Sequence, residues 1–472
     1  MDILATPQRL RLVAILFAST LLGTALAAPQ TTLLLLPLAV GAVGALLAYE
    51  VPAFSCAVLI MTFGLGVDVH ISLLTHAAGP SGPEGESSLG SAIAKVVPFA
   101  VAGVLILRYG VARAINWPFF AFTLVAGISI AVLPMGHISS NTEMVRSFVG
   151  STAPFALAFA LAPRAVWTVL CRGVVLVPIL STLGGMLTHI AGIYPAFDDR
   201  GRFQGLHSPP FLAGFCTTAI FAATLEYLRG FRMRWLILGG LDLAILLTTQ
   251  ARTPTAVVGI FLLLVFFASG RDVFPLKRKV DLVMGGLVPG TIVIGPAIAY
   301  ALERFVSQGD SLSGRDILWS YFTDAIAQRP LLGYGLGAGK LVVNPYDQVI
   351  KYIGSVAPHN EYLRLTVEGG VIGCAMIFLA ILLWIWVGTR DTPPAERLVM
   401  RAAILGVLFH SAFDNTLIAT TGVIQFIWFS AALARGRMEM PARGSYGAHY
   451  AASRGRAMSS AGAKAISQAS RA

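Results

Sequence analysis

The segment APHNEYLRLTVEGGVIG, residues 357–373, places ionisable side chains directly before an apolar run. His359 follows Pro358, and Asn360 is of a residue type that caps helices, so the pattern predicts His359 at the N-terminus of a helix. The free N–H groups and the dipole at such an end favour anions and the neutral imidazole, which can act as a general base. Gly369 and Gly370 are expected to end this helix.

Three arginines could serve the same site. Arg252, in TTQARTPTAV, falls at a turn between two apolar segments, and Arg315, in SLSGRDILW, falls in the first turn of a helix that Ser313 is expected to cap. Arg202 lies in the turn DDRGRFQGLHSPPF. Guanidinium forks suit diphosphate oxygens, so arginines facing one cavity would suit a lipid diphosphate. Two other interpretations remain open: Arg252 as an interfacial anchor of a span, and Arg315 as a solvated residue.

Other polar features are less specific. His410 and Asp414 are four residues apart, which predicts one helix face; a pair that holds two helices together is favoured over a proton relay. The glycine-rich stretch LLGYGLGAG, residues 331–339, is favoured as a turn over a phosphate cradle, because no strand precedes it. The four cysteines lie singly in apolar segments without metal-ligand spacing. No metal and no cofactor is therefore predicted.

The elements that must position these residues are membrane helices. The chain is 56% hydrophobic and only 12% charged, and apolar runs of nearly bilayer-spanning length recur along it. The sequence predicts an all-α polytopic membrane protein with about 12–14 transmembrane helices. One longer outer loop, residues 302–368, is expected to contain short helices, the first of which, with an apolar stripe from Ile317 to Ile326, is expected on the membrane surface. The first apolar segment also resembles a cleavable signal peptide, but an uncleaved helix is favoured.

Basic residues collect in alternate connections, which predicts that both termini are cytoplasmic and that the candidate residues face outward. The net charge of +11 is explained by this distribution and by anionic lipids, so no nucleic-acid partner is expected. Four regions are predicted: N-terminal helices over 1–200, a core over 201–390, C-terminal helices over 391–436, and a disordered basic tail over 437–472. The outer side has no ATP, so a reaction there would need an already activated substrate, and the absence of a P-loop argues against an ATP-driven pump.

The ordered set ARTPTAV, SGRDILW…RPLLGYGLG and PHNEYLRLTVEGGVIG resembles the bacterial O-antigen ligase and Wzy-type polymerase superfamily from about residue 201 to 387. The resemblance implies a metal-independent, inverting membrane glycosyltransferase in the bacterial inner membrane, with its site facing the periplasm. Such enzymes move a glycan from an undecaprenyl-diphosphate carrier to an acceptor hydroxyl in cell-surface polysaccharide biosynthesis.

By the same resemblance, Arg252 and Arg315 would bind the donor diphosphate and His359 would activate the acceptor hydroxyl. Arg202, Asn360 and Asp414 are secondary candidates; the HSPP of residues 207–210 departs from the family's pattern and leaves the role of that turn open. The expected partners are the carrier-linked glycan donor, a glycan or lipid A-core acceptor, membrane lipids and other polysaccharide-assembly proteins. Polymerase, ligase and protein glycosylation all remain open. The alternative from another class is a flippase or exporter of lipid-linked sugars, which would place its functional charges near the bilayer midplane.

Overall fold

The computed structural model describes residues 44, 46–67, 89–132, 141–287, 295, 315–344, 346–348, 350 and 356–439. Over these residues the fold is helical, with two isolated β-bridges, Val111 to Ala160 and Phe197 to Phe203, and no strand. This confirms the all-α prediction for the described part. The predicted signal-like segment, the cap Ser313 and the tail beyond residue 439 lie outside it.

The α-helices are numbered here in chain order. They are α1 (Pro52–Gly64), α2 (Leu89–Tyr109), α3 (Trp117–Val132), α4 (Asn141–Thr152), α5 (Arg164–Gly173), α6 (Val177–Ile190), α7 (Pro209–Gly230), α8 (Met233–Thr248), α9 (Arg252–Ala268), α10 (Leu276–Leu282), α11 (Arg315–Gln328), α12 (Glu361–Gly388), α13 (Pro394–His410) and α14 (Thr420–Glu439). Short 3₁₀ turns span Ala153–Phe159, Val174–Leu176 and Ala338–Lys340, and a π-turn spans Val283–Leu287.

Three of the described helical segments are long and apolar enough to cross a membrane: Arg164–Ile190, which joins α5 and α6, Pro209–Gly230 and Glu361–Gly388. Shorter apolar helices are Pro52–Gly64, Trp117–Ala131 and Arg252–Ala268. No single helix covers residues 146–162, because α4 ends at Thr152 and Pro154, which has no N–H to donate, opens a 3₁₀ turn. The total of about 12–14 spans stays a prediction.

The centre of the bundle is formed by α7 and α14, whose side chains are almost all buried. The helices approach closely at Gly214, where an added Cβ would lie 2.8 Å from a methyl of Thr421. Phe221 of α7 packs against Phe261 of α9, with ring centroids 4.3 Å apart, and against Trp428 of α14. Aromatic contacts thus hold α7, α9 and α14 together.

Ion pairs with the buried carboxylates of Glu226 and Glu396 hold several helices together at one end of the bundle. Glu226 accepts hydrogen bonds from Arg435 and Arg172, and Arg229 binds both Glu396 and Glu439. These contacts join α5, α7, α13 and α14 at one end of α13, whereas His410 marks its other end. With 17 residues in α13 and a rise of about 1.5 Å per residue, the two ends are about 25 Å apart. Helix α14 continues to Glu439, past the predicted boundary at residue 436.

Candidate functional site

His359 is held in an uncommon backbone conformation. Its φ of 46° lies in the left-handed region, which a residue with a Cβ adopts only when its surroundings impose it. The indole N–H of Trp319 donates to the Pro358 carbonyl at 2.8 Å, and the Glu361 N–H donates to the Ser411 carbonyl at 2.8 Å. These bonds tie the His359 turn to α11 on one side and to the end of α13 on the other.

Asn360 is the N-cap of α12, as the sequence predicts. Its side-chain oxygen accepts a hydrogen bond from the Leu363 N–H at 3.1 Å. The predicted break is also confirmed, because Gly370 has φ 64° and divides α12 into a short first part and a longer apolar part. His359 therefore lies directly before a helix N-terminus that the Asn360 side chain caps.

Asp414 lies between two histidines. Its Oδ1 is 3.5 Å from Nδ1 of His359, and its Oδ2 is 3.8 Å from Nε2 of His410. The expectation that His410 and Asp414 share a helix face is wrong, because α13 ends at His410 and Asp414 belongs to the turn that follows. That turn brings the carboxylate across to the His359 side.

The environment of Asp414 favours its ionised form. Burial raises the pKa of this carboxyl, but the interaction with His359 and the charges of the two histidines outweigh burial, so the pKa lies below its ordinary value. An ionised carboxylate facing Nδ1 orients the His359 ring and leaves Nε2 as the basic nitrogen. The side chain of His359 is 38% exposed, so a substrate can reach it.

Arg315 joins the same group. It is the first residue of α11, and its Nη1 donates to the Phe413 carbonyl at 3.2 Å, one residue before Asp414. The structure thus brings together Arg315, His359 and Asp414, which the sequence separates by 44 and 55 residues. Sequence reasoning names all three residues, but it could not show that they converge.

Arg252 lies at the same end of the bundle. It begins α9 and is exposed, and α9 runs antiparallel to α13 with Val257 facing Gly406, where an added Cβ would lie 3.0 Å from the valine. Five residues back along α9 from Val257, Arg252 reaches about the level of the end of α13. Its role towards a diphosphate stays a prediction.

Arg202 is engaged within its own turn. Its guanidinium binds the Asp198 carboxylate at 2.7 and 2.8 Å, and the Arg202 backbone N–H donates to the same side chain at 2.8 Å. These bonds give Arg202 a local structural role, and any contact with substrate stays a prediction.

The carboxylates of the 357–373 segment turn inward. Arg364 donates to Glu361 and, at 2.8 Å, to Glu368, and all three side chains are buried. This ion triad was not predicted from the sequence, although the i, i+3 and i, i+4 spacing of its residues is a signal for it. The triad stabilises the first part of α12 through ion pairs within the helix.

The glycine-rich stretch is a turn, as favoured from the sequence. The N–H groups of Tyr334 and Gly335 donate to the carbonyls of Val367 and Glu368 at 2.8 and 2.9 Å. A Cβ on Gly370 would lie 2.0 Å from the Leu331 oxygen, so the two backbones touch. The turn is hydrogen-bonded to the carbonyls next to the break in α12.

The apolar stripe of α11 also packs inside the protein. Leu318 and Phe322 are buried against Ala338, Val343 and Val367. The expectation that this stripe faces the membrane surface is therefore wrong for these positions, because the rest of the loop and α12 cover them. The packing holds α11, and with it Arg315, against the His359 turn.

Comparison with known proteins gives a partial match over this region. Residues 236–378 match the family model described as O-Antigen ligase, a segment that contains Arg252, Arg315 and His359 but neither Arg202 nor Asp414. Proteins named "Putative polysaccharide ligase" are 26% identical in Rickettsia prowazekii (strain Madrid E) and 28% identical in Rickettsia conorii (strain ATCC VR-613 / Malish 7), each over 131 residues.

Each of these alignments covers 24% of this chain, and the chain spans only 32% of the length of the relatives that it matches. Residues 236–378 include α9 with Arg252, α11 with Arg315, and the His359 turn that precedes α12. The resemblance drawn from the motifs is confirmed: residues 236–378 of this chain are similar to the O-antigen ligase family.

Proposed function

We propose that this protein transfers a glycan from an undecaprenyl-diphosphate carrier to an acceptor hydroxyl at the periplasmic face of the bacterial inner membrane. The observation that carries the proposal is the convergence of His359, Asp414 and Arg315 at one end of the bundle. A base, an anion that orients it and a cation for the leaving group are the parts that such a transfer needs.

His359 acts as the general base. Its Nε2 takes the proton of the acceptor hydroxyl as the oxygen attacks the anomeric carbon of the donor. Asp414, 3.5 Å from Nδ1, keeps the ring in the required tautomer and stabilises the imidazolium that forms. The exposed position of the ring allows the acceptor to approach from outside the helix bundle.

Arg315 and Arg252 act on the leaving group. As the bond from the anomeric carbon to the carrier phosphate breaks, its electron pair goes to undecaprenyl diphosphate, and the guanidinium groups offset that charge. Attack from the face opposite the diphosphate inverts the anomeric centre. This sequence of steps balances without a metal or a cofactor.

We propose that the acceptor is of the lipid A-core type, as in a ligase, and not a second carrier-linked glycan. The curated relatives are named polysaccharide ligases, which favours transfer of a glycan to a lipid A-core type acceptor over carrier-to-carrier polymerisation. The accumulating species distinguishes the two: long carrier-linked chains mark a stalled ligase, and single carrier-linked repeats mark a stalled polymerase.

The experiment is to profile carrier-linked and surface glycans in a deletion strain complemented with wild type, His359→Ala or His189→Ala. His189 is an exposed histidine at the end of α6 and serves as the matched control. We expect carrier-linked glycan to accumulate with His359→Ala and not with His189→Ala, at equal membrane abundance. Full rescue by His359→Ala would refute the base assignment and favour a flippase or exporter.

A further inference from the structure

A second charged cluster lies on the other side of the first part of α12. Glu143, in the first turn of α4, accepts hydrogen bonds from Arg146 and from Lys340, the latter with Nζ 3.3 Å from Oε2. Lys340 closes the 3₁₀ turn Ala338–Lys340 of the loop before α12. Cations from two distant segments thus meet at one carboxylate.

Lys95 is the third cation of this cluster. It belongs to α2, and its relative exposure is 8%. A Cβ on Gly150 would lie 3.2 Å from Cδ and 3.4 Å from Nζ of Lys95, so the lysine runs along that glycine. Gly150 is four residues after Arg146 and shares its face of α4, which places the Lys95 ammonium beside the Arg146 position. We call Lys95, Arg146 and Lys340 with Glu143 the Lys95 cluster.

The ion triad of α12 forms the wall between the Lys95 cluster and His359. Gly339, next to Lys340, faces this wall: its Cβ would lie 3.0 Å from Cγ of Arg364 and 3.1 Å from Oε1 of Glu368. The Arg364 guanidinium is already engaged by Glu361 and Glu368. The triad holds two carboxylates and one guanidinium, and both carboxylates bind Arg364.

Among the described residues, Glu143 offsets only part of the positive charge of the Lys95 cluster. Within the described part of the chain, no carboxylate lies within ion-pair distance of the Lys95 ammonium. Burying an ammonium without a counter-ion is costly, and the neighbouring cations add to that cost. Side-chain exposures of 39% for Arg146 and 28% for Lys340 leave these two cations accessible to an anion from outside the bundle.

We propose that the Lys95 cluster binds a phosphate group carried by a membrane lipid, and that this phosphate anchors the acceptor of the transfer reaction. A phosphate offers several acceptor oxygens and up to two charges, which suits two ammonium groups and a guanidinium. The site adjoins Arg364, about one and a half helical turns along α12 from His359. This assignment of the acceptor rests on the proposed function, whereas the phosphate site stands on the cluster alone.

The test is binding to the purified full-length protein in neutral-lipid nanodiscs. The probe is dioctanoyl phosphatidic acid, a short-chain lipid phosphomonoester, titrated against wild type, Lys95→Met and the double variant Arg146→Gln/Lys340→Gln. The double variant changes only partly exposed side chains and keeps the test valid if Lys95→Met fails to fold. We expect each lost cation to weaken binding by about tenfold.

Two controls make the result specific. Arg329→Gln removes an exposed cation of the same loop outside the cluster and should leave the Kd unchanged. Dioctanoylglycerol, which lacks the phosphate, should not bind.

The contrary outcomes are distinct. Absence of phosphatidic acid binding, or equal binding by wild type and the double variant, would overturn the site. Equal affinity for dioctanoyl phosphatidylglycerol would show a site for bulk headgroups, and equal affinity for inorganic phosphate a site for the free anion; either would overturn the acceptor assignment. Because the readout is binding and not transfer, a failure of the proposed function in the His359→Ala experiment would be recognised separately.

Discussion

Replacing Asp414 by asparagine tests how the base is organised. Two unit charges 3.5 Å apart, the distance from Asp414 Oδ1 to His359 Nδ1, interact by about 5 kcal/mol at an effective dielectric constant of about 20. The two side chains are 29% and 38% exposed, and solvent screening reduces this to about 2 kcal/mol. Asp414→Asn should therefore lower kcat about 30-fold.

The assay is glycan transfer by the purified protein with carrier-linked donor, measured as kcat and as KM for each substrate. We expect the loss in kcat, because Asp414 stabilises the imidazolium formed in the transition state and touches neither substrate. His359→Ala should cost more, about 10²- to 10⁴-fold, the usual contribution of a general base. A thermal unfolding scan of each variant checks that the fold is retained.

The double variant decides the reasoning. If Asp414 acts through His359, then His359→Ala/Asp414→Asn should be no slower than His359→Ala alone, because residues that act as a unit are not additive. A further 30-fold loss in the double variant would show that Asp414 acts independently of His359. The orienting role would then be wrong, whatever the effect of the single substitution.

Three further predictions follow from the contacts around the site. Arg315→Gln should raise KM for the donor about tenfold or more, with incomplete rescue by Arg315→Lys and no effect of Arg329→Gln; equal KM values for wild type and Arg315→Gln would contradict the diphosphate role. Gly370→Ala should lower the free energy of unfolding by about 3 kcal/mol or more, because a Cβ would lie 2.0 Å from the Leu331 oxygen at a φ of 64°. In the same thermal unfolding assay the control Gly259→Ala, whose Cβ would meet no atom within 4 Å, should be neutral or stabilising. Because the pKa of folded Asp414 lies below the ordinary value of 3.8, its ionisation stabilises the fold above pH 3.8, and this stability is lost as the pH falls through the folded pKa. The unfolding temperature of Asp414→Asn should therefore decline less steeply below about pH 4 than that of wild type. Near pH 7 the two proteins should show the same pH dependence of the unfolding temperature.

Local features of the site could be predicted from the sequence, and features that depend on packing could not. The cap at Asn360 and the break at Gly370 were predictable, because an N-cap and a glycine break are set by a few adjacent residues. The pairing of Asp414 with His359 was not, since it depends on where α13 ends and on a turn that returns the chain towards α12. Periodicity alone extended that helix by a turn too many.

The apolar stripe of α11 shows the same limit in another form. Its spacing correctly predicted a helix, but a stripe that contains Leu318 and Phe322 can be covered by lipid or by protein. Only the fold shows that the glycine-rich turn and α12 cover it. The inward orientation of Glu361 and Glu368 is likewise a property of the packed helix, although their spacing around Arg364 was visible.

The break in α12 explains how one helix can serve both the site and the membrane. Its first part carries the buried triad of Glu361, Arg364 and Glu368, whereas the part after Gly370 is apolar as far as Gly388. A straight helix would hold the direction of the first part to that of the apolar span. The positive φ of Gly370 separates the two directions, and the N–H groups of Tyr334 and Gly335 bind the carbonyls just before the break. The first part can then be fixed by α11, α13 and the glycine-rich turn, which sets the position of His359 independently of the tilt of the apolar part. It also leaves the triad as a wall with the His359 group on one side and the Lys95 cluster on the other. A donor and an acceptor that are both held by phosphate groups would need such a division, because it keeps two anionic groups apart while their reacting atoms meet at the capped end of α12.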